Sequence, residues 1–188
     1  MFFYSRVPYC LVVFILSHDN YLYWLNMRSF IIFIFLLSNA LAIEDIKLKN
    51  IILNKELKTY KNLTFLDSQR EVVQLNSHKG KLIMLNFWAT WCAPCKEEMP
   101  SLDLLKSNKN FTNLEIFPIN IGKDNVEKSQ KFFDNLQIKN LKIFFDNPNT
   151  LAKKLSLRGV PTTIIFNKEG QEFARILGSI DFSNEDFI

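Results

Sequence analysis

The residues best suited to chemistry in this chain are two cysteines that lie three positions apart. The stretch "FWATWCAPCKEEMP" places Cys92 and Cys95 on either side of Ala93 and Pro94. Such a pair can be a static disulfide, part of a zinc site, or a redox centre that cycles between dithiol and disulfide. A static bridge this short would stabilise little, and a zinc site needs four ligands. The pattern therefore favours a cycling pair, with no metal bound.

Pro94 indicates that the two cysteines lie at the start of a helix, because proline is well tolerated in the first helical turn. The unpaired N–H groups and the positive end of the helix dipole favour a thiolate at Cys92, and the thiolate is the attacking species. Cys95 follows one turn later on the same face, so the two sulfurs can form a disulfide. We therefore expect Cys92 to face solvent and attack, and Cys95 to lie further inside and resolve the mixed disulfide.

The elements around the cysteines follow an alternating pattern. A near-continuous apolar run at residues 81–89 predicts a strand buried on both faces, and a helix is predicted from Pro94 to about Ser107. Further strands are predicted at 114–121, 141–145, 160–167 and 171–177, with helices at 125–137 and 149–157. This alternation implies βαβ units and an α/β fold, with a central mixed sheet flanked by helices.

The segments on either side of this pattern are less regular. Residues 63–75 contain two apolar runs around a polar turn, which predicts a β-hairpin. Residues 43–62 are rich in lysine and asparagine, and we interpret them as a lead-in segment. Residues 181–188 are expected to begin a last helix.

The N-terminal 42 residues have the pattern of an export signal. Met27 and Arg28 supply a short positive region, "FIIFIFLL" supplies an apolar region, and "ALA" at Ala40–Ala42 supplies a cleavage site. We predict a natural start at Met27 and cleavage after Ala42. Export to the periplasm or beyond would let a disulfide persist, whereas cytosolic thiols are kept reduced.

Two other readings of this region follow from the same residues. Residues 30–41 could stay as an uncleaved membrane anchor, although the run is shorter than the roughly 20 apolar residues that span a bilayer. Residues 1–26 are interpreted as an upstream extension from mis-called translation or as an unusually long n-region of the signal, and Cys10 within them is expected to have no chemical role.

Composition excludes one class of partner. The chain has 188 residues, 48% of them hydrophobic, and a net charge of +4 from 23 basic and 19 acidic residues. These charges are spread along the chain with no basic cluster that interleaves with aromatic residues, so nucleic-acid binding is not expected. We expect a monomer that needs no cofactor.

Two motifs carry a family resemblance. "FWATWCAPC", with Pro100 eight residues after Cys92, resembles the thioredoxin superfamily, and "RGVPTT" at residues 158–163 resembles its cis-proline loop. The longer stretch "NFWATWCAPCKEEMP" resembles the TlpA/ResA-like branch of exported thiol–disulfide oxidoreductases. The resemblance runs from about Leu63 to the C-terminus and implies a thioredoxin-like domain over residues 63–188, with the hairpin as an N-terminal extension.

The resemblance implies roles for individual residues. It makes Cys92 the nucleophile and Cys95 the resolving cysteine. It implies that the peptide bond before Pro161 is cis and lies against the disulfide, and that Pro100 kinks the active-site helix. Residues expected to contact the substrate are Trp91, Pro94, Val160 through its backbone, and Pro161.

Asn86 and Glu98 distinguish this chain from cytosolic thioredoxins. Those proteins bury an aspartate six residues before the nucleophile, where this chain has Asn86. The exported branch places a glutamate three residues after the second cysteine, which here is Glu98. We hypothesise that Glu98 tunes the thiols and relays protons to Cys95, because a partly buried carboxylate can have a raised pKa.

The resemblance suggests the reduction of specific periplasmic protein disulfides, for example in cytochrome c maturation, and is compatible with a membrane electron donor. The direction of electron flow rests on the resemblance, because a reduction potential does not follow from the motif. Two alternatives stay open. One is a copper(I) metallochaperone that uses the Cys92 and Cys95 thiolates, and the other is a binding domain without enzymatic activity.

Overall fold

The computed structural model describes residues 50–146, 148–184 and 187. Its strands are β1 (Ile51–Thr59), β2 (Thr64–Leu66), β3 (Val72–Gln74), β4 (Leu82–Trp88), β5 (Leu114–Asn120), β6 (Phe144–Phe145), β7 (Thr162–Phe166) and β8 (Gln171–Leu177). Its helices are α1 (Ala93–Ser107), α2 (Val126–Asn135) and α3 (Thr150–Lys154). None of the described helices is long and apolar enough to cross a membrane. The predicted signal sequence and Cys10 lie outside the described residues.

The strands form one mixed sheet in the order β1-β8-β7-β4-β5-β6-β2-β3. The central strands β4, β5 and β6 are parallel, as expected for strands joined through helices. β7 and β8 run antiparallel to their neighbours, and so does β1 at one edge. An antiparallel pair, β2 and β3, forms the other edge within residues 63–75. The predicted α/β class, with a mixed sheet flanked by helices, is confirmed.

Alternation along β4 divides the core between the two faces of the sheet. Ile83, Leu85 and Phe87 belong to one buried cluster, together with Leu151 of α3. Met84 and Trp88 belong to the other cluster, together with residues of α1 and α2. Because successive side chains of a strand point to opposite faces, Asn86 lies on the same face as Met84 and Trp88, beneath α1.

Within the predicted lead-in segment 43–62, for which no strand was predicted, residues 51–59 form strand β1 and pair with β8. The strand lies at an edge, and most of its side chains are exposed, including Leu53 at 70% and Leu57 at 52%. It therefore lacks the alternation of buried and polar residues by which a half-buried strand is recognised.

A buried carboxylate ties β1 to the domain. Glu172 on β8 is fully buried and accepts hydrogen bonds from Arg175 (2.7 and 2.8 Å), from the Asn54 amide (2.9 Å) and from the Tyr60 hydroxyl (2.8 Å). Burial alone would raise the pKa of Glu172. These hydrogen bonds and the charge of Arg175 lower it by more than burial raises it, so the pKa lies below its ordinary value. Glu172 is therefore ionised at neutral pH.

Replacing Tyr60 with phenylalanine is expected to lower the free energy of unfolding by about 1–2 kcal/mol, because a hydrogen bond to a charged group is lost. Urea denaturation at pH 7 would measure this change. In an E172Q background the same replacement should cost clearly less, since the acceptor is then neutral. An equal cost in both backgrounds would show that the hydroxyl does not act through Glu172.

Two further elements differ from prediction. The strand expected over residues 141–145 is limited to Phe144–Phe145. The buried carboxylate of Asp103 on α1 accepts the backbone N–H groups of Lys139, Asn140 and Leu141 at 2.7–3.2 Å. These N–H groups are therefore bound to a side chain of the helix and not to a neighbouring strand. The described residues of 181–188 form turns instead of a helix, and Phe182 there is fully buried.

Candidate active site

The two cysteines lie where strand β4 gives way to helix α1, and they form a disulfide with a Cα–Cα distance of 5.3 Å. Cys92 is the N-cap residue of α1. Its sulfur accepts the backbone N–H of Cys95 at 3.2 Å, and its carbonyl accepts the N–H of Lys96 at 3.2 Å. Pro94 lies in the first turn, as predicted. The sulfur of Cys92 therefore uses one of the free N–H groups that a helix start provides.

The expectation that Cys92 faces solvent is wrong for this oxidised form. Its exposed fraction is only 4%, and that of Cys95 is 0%. Both residues belong to the same buried cluster as Trp88 and Met99, because the disulfide draws the two side chains against the core. Trp91, in contrast, is 68% exposed.

The loop that carries Trp91 is fixed by residues that follow strand β5. The Asp124 carboxylate accepts the backbone N–H of Thr90 at 3.2 Å and its hydroxyl at 2.8 Å. Burial raises the pKa of Asp124, but hydrogen bonds from Lys128, Asn120 and Thr90 outweigh it and hold the pKa below its ordinary value. Asp124 therefore holds the active-site loop as a charged acceptor.

Gly122 allows this loop to pack closely. A Cβ atom at this position would lie 2.9 Å from Cβ of Ala89 and 3.2 Å from Nε1 of Trp91. Glycine is used where another part of the chain approaches this closely. A larger residue here would displace the loop or the Trp91 ring.

A buried polar group lies beneath α1 and joins Glu98 to the sheet. Glu98 is 2% exposed, and Asn86 is fully buried. The Asn86 amide donates to Oε1 of Glu98 at 2.8 Å and to the Thr163 hydroxyl at 2.9 Å. Asn86 and Thr163 are direct partners in the β4–β7 pair, so the sheet register positions the amide for both bonds. Glu98 is thus more deeply buried than the partial burial expected from its place on the helix.

Burial raises the pKa of Glu98 from 4.5 to about 7, and hydrogen bonding by Asn86 and by the Ile180 backbone opposes this only in part. Oε2 of Glu98 and Oδ1 of Asn86 have no hydrogen bond of normal geometry to the described residues. Glu98 also lines a surface cavity between α1 and residues 179–183. At neutral pH this carboxyl can therefore both hold and release a proton, and the cavity gives a route to solvent.

The Val160–Pro161 peptide is cis, as the family resemblance implied. Thr162, the next residue, pairs with Phe87 near the end of β4 that leads to Cys92. Val160 packs against the cluster that contains both cysteines, and the carbonyl of Pro161 accepts the N–H of Gly178 at 3.0 Å. The cis-proline loop and the disulfide therefore lie at the same end of the sheet.

The structure thus groups the residues that the sequence singled out at one end of the sheet, with Glu98 behind them. Sequence reasoning missed Thr163, Asp124 and Gly122. A sign of the importance of two of them was present, since Gly122 and Asp124 lie within four residues of the end of the buried strand β5, but their contacts depend on which strands are neighbours. Among the residues that the structure describes, no group of three or more His, Cys, Asp or Glu side chains is placed to bind a metal ion.

Comparison with known proteins agrees with this geometry. A family model described as the AhpC/TSA family matches residues 53–171. The chain is 27% identical over 119 residues to the thiol-disulfide oxidoreductase ResA of Bacillus subtilis, which covers 63% of this chain and 65% of that protein. It is 32% identical over 109 residues to ResA of Geobacillus thermodenitrificans, which covers 57% of this chain and 60% of that protein. The chain therefore spans less than two thirds of the length of these curated relatives.

A solved structure has the same fold. The crystal structure of a secreted thiol-disulfide isomerase from Corynebacterium glutamicum superposes with a TM-score of 0.61 at 20% identity, covering 71% of this chain and 85% of that one.

Proposed function

Because the chain belongs to the AhpC/TSA family of the thioredoxin superfamily, we propose that it is a thiol–disulfide oxidoreductase that acts on protein substrates through Cys92 and Cys95. The observation that carries the proposal is the position of the disulfide. It lies at the N-terminus of α1, beside a cis-proline loop and above a buried carboxyl group.

The reaction begins when the reduced protein presents Cys92 as a thiolate. This sulfur attacks one sulfur of the substrate disulfide, and the other substrate sulfur leaves with the bonding electron pair and takes up a proton. Cys95 then attacks Cys92, which releases the second substrate thiol and forms the Cys92–Cys95 disulfide. Two electrons have passed to the substrate, so a thiol donor must reduce the protein before the next cycle.

Glu98 serves as the proton acceptor for Cys95 in this scheme. Cys95 must lose its proton before it attacks, and Glu98 lies three residues further along α1 with a pKa near neutrality. A group whose pKa lies near the working pH is the most effective general base. Asn86 acts as a positioning residue, since its amide holds Oε1 of Glu98 at 2.8 Å.

The surface around Cys92 is suited to contact the substrate. Trp91 and Pro94 are exposed on the approach to the sulfur, and the cis-proline loop borders it. In this proposal an extended substrate segment pairs with the backbone of Val160 and lies over Pro161, while Trp91 packs against its side chains. Main-chain pairing of this kind gives affinity without demanding one substrate sequence.

We place the activity outside the cytoplasm, on periplasmic or exported proteins, with cytochrome c maturation as an example of a process that needs such reduction. Two observations support this location. Residues 27–42 have the pattern of a cleaved export signal, and the similar Corynebacterium glutamicum protein is described as secreted. Because disulfides persist in such compartments, a protein that must hold its cysteines as free thiols there needs a reductant.

The Cys95→Ser variant tests the proposal, because it removes the sulfur that resolves the mixed disulfide. The reduced variant, incubated with a disulfide-bonded protein, is expected to accumulate a covalent complex that a thiol reagent dissolves. Non-reducing electrophoresis and mass spectrometry would measure it. A Cys92→Ser, Cys95→Ser double variant should form no such complex through this site. Absence of the complex with Cys95→Ser, when the wild-type protein also leaves the substrate oxidised, would contradict the proposed activity.

A further inference from the structure

A second cavity opens beside the cis-proline loop, and we call it the basic groove. It has a volume of about 410 Å³ and lies between the edge strand β1, strand β8 and the segment that follows α3. Polar and charged residues line it together with a few apolar ones: Asn54, Lys58, Tyr60, Lys154, Arg158 and Arg175, with Ile52, Leu157 and Leu177.

One end of the groove lies at the active-site end of the sheet. Thr162, which lines it, pairs with Phe87 on one side and with Leu177 on the other. Ile52 pairs with Arg175 at the same end of β8. Arg158 precedes Val160 by two residues. Arg175 and Leu177 alternate along β8 with Ala174 and Ile176, which belong to the cluster that contains the cysteines, so the groove opens on the opposite face of the sheet. A polypeptide that pairs with the cis-proline loop would reach the groove by passing over the end of the sheet.

The charged residues that line the groove are all positive. Its lining contains four cations and no Asp or Glu. The Glu172 carboxylate beneath it is fully buried and bound to Arg175, which is thereby neutralised. The other three cations keep most of their charge: Lys58 lies 3.9 Å from Glu172 and is half exposed, Lys154 donates to the Asn62 carbonyl, and the exposed Arg158 has no ion pair with the described residues.

The groove also offers apolar contacts at its rim. Ile52 is 47% exposed and Leu177 is 41% exposed. Together with the cations, they match a ligand that alternates carboxylate and apolar side chains. A chain in extended conformation has this alternation on its two sides.

We propose that the basic groove binds an acidic, extended stretch of the substrate protein next to the disulfide that is reduced. This inference rests on the proposed function and specifies its substrate class. Positive charge around the groove raises the local concentration of acidic partners and speeds their encounter, and this effect weakens with salt. Cys92 supplies the chemistry, and the groove selects among the disulfides that reach it.

Three synthetic peptides test the proposal. Each contains one Cys-x-x-Cys disulfide, flanked by four acidic, four neutral polar or four lysine residues. At low ionic strength the reduced full chain is expected to reduce the acidic peptide with a kcat/KM about tenfold above that of the neutral one, and the lysine peptide more slowly still. The preference should largely disappear in about 0.5 M salt, where charges are screened within a few ångströms.

The variant K154E/R158E should lower the ratio of acidic to neutral kcat/KM to about one or below. K168E is the matched control, since Lys168 lies in the exposed turn between β7 and β8 at the opposite end of the sheet, and it should keep the wild-type ratio. Equal, salt-independent rates for the three peptides with the wild-type protein would overturn the groove proposal while leaving the proposed function intact. Failure to reduce any peptide would overturn the proposed function itself.

Sedimentation distinguishes a different occupant of the groove. A dimer of the wild-type chain that K154E/R158E dissociates would show that a second copy occupies the groove, and would overturn the substrate assignment. The expected result is that the oligomeric state is the same for the wild-type protein and the variant.

Discussion

The Cys92→Ser variant is expected to lose the reduction of protein disulfides, with kcat/KM lower by at least about a thousandfold, since removal of a nucleophile has effects of this size or larger. Serine has nearly the shape of cysteine, but its hydroxyl is not ionised at neutral pH and does not form a stable bond to sulfur. Cys95 cannot take over the attack, because its exposed fraction is 0%. Titration of the thiols released from a disulfide-bonded protein by the prereduced variant would measure the loss.

When the full 188-residue chain is tested, the Cys10→Ser variant is the control, because it removes the third cysteine and leaves the active-site pair. It should reduce the same substrate at the wild-type rate. Substantial activity of Cys92→Ser would mean that another group attacks the substrate, and would contradict the assignment of the nucleophile.

The Glu98→Gln variant is expected to change how the stability of the oxidised protein depends on pH. The pKa of Glu98 is about 7 in the folded protein, against an ordinary 4.5, so between these values folding takes up a proton. The free energy of unfolding then falls by about 1.4 kcal/mol for each pH unit. The stabilisation is fully present below pH 4.5 and is lost as the pH rises through 7, a total of about 3 kcal/mol.

Denaturation with guanidinium chloride at pH 4.5, 6 and 8 would test this prediction. Relative to the wild-type protein, Glu98→Gln should gain about 3 kcal/mol in free energy of unfolding between the lowest and the highest pH, because the wild type loses that amount and glutamine does not titrate. Glu97→Gln is the matched control, since Glu97 is exposed one residue away, and it should follow the wild-type curve. Parallel curves for Glu98→Gln and the wild type would contradict the raised pKa.

The central elements could be predicted from the sequence because local signals and burial agree there. Strand β4 is apolar at every position except Asn86 and is buried on both faces. Pro94 marks the start of α1 within one residue. In this part of the chain, propensity, periodicity and capping all indicate the same structure.

Elsewhere the deciding contacts are distant in sequence. Strand β1 is held by Glu172, more than a hundred positions further along the chain, and the backbone N–H of Leu141, at the start of the predicted strand 141–145, is bound by the carboxylate of Asp103. No local pattern reports either contact. The same holds at the site: Asn86 and Glu98 could be singled out by position, but their hydrogen bond and the role of Thr163 depend on the pairing of β4 with β7.

The unequal burial of the two sulfurs also determines which of them the electron donor can attack. Since Cys95 is inaccessible and Cys92 retains a small exposed area, a donor thiolate that regenerates the dithiol must attack the same sulfur that later meets the substrate. Donor and substrate therefore compete for the sulfur of Cys92 and cannot both be bound to it covalently at once. The proposed function therefore predicts ping-pong kinetics, in which an excess of oxidised substrate slows the return of electrons only by occupying the surface at Cys92.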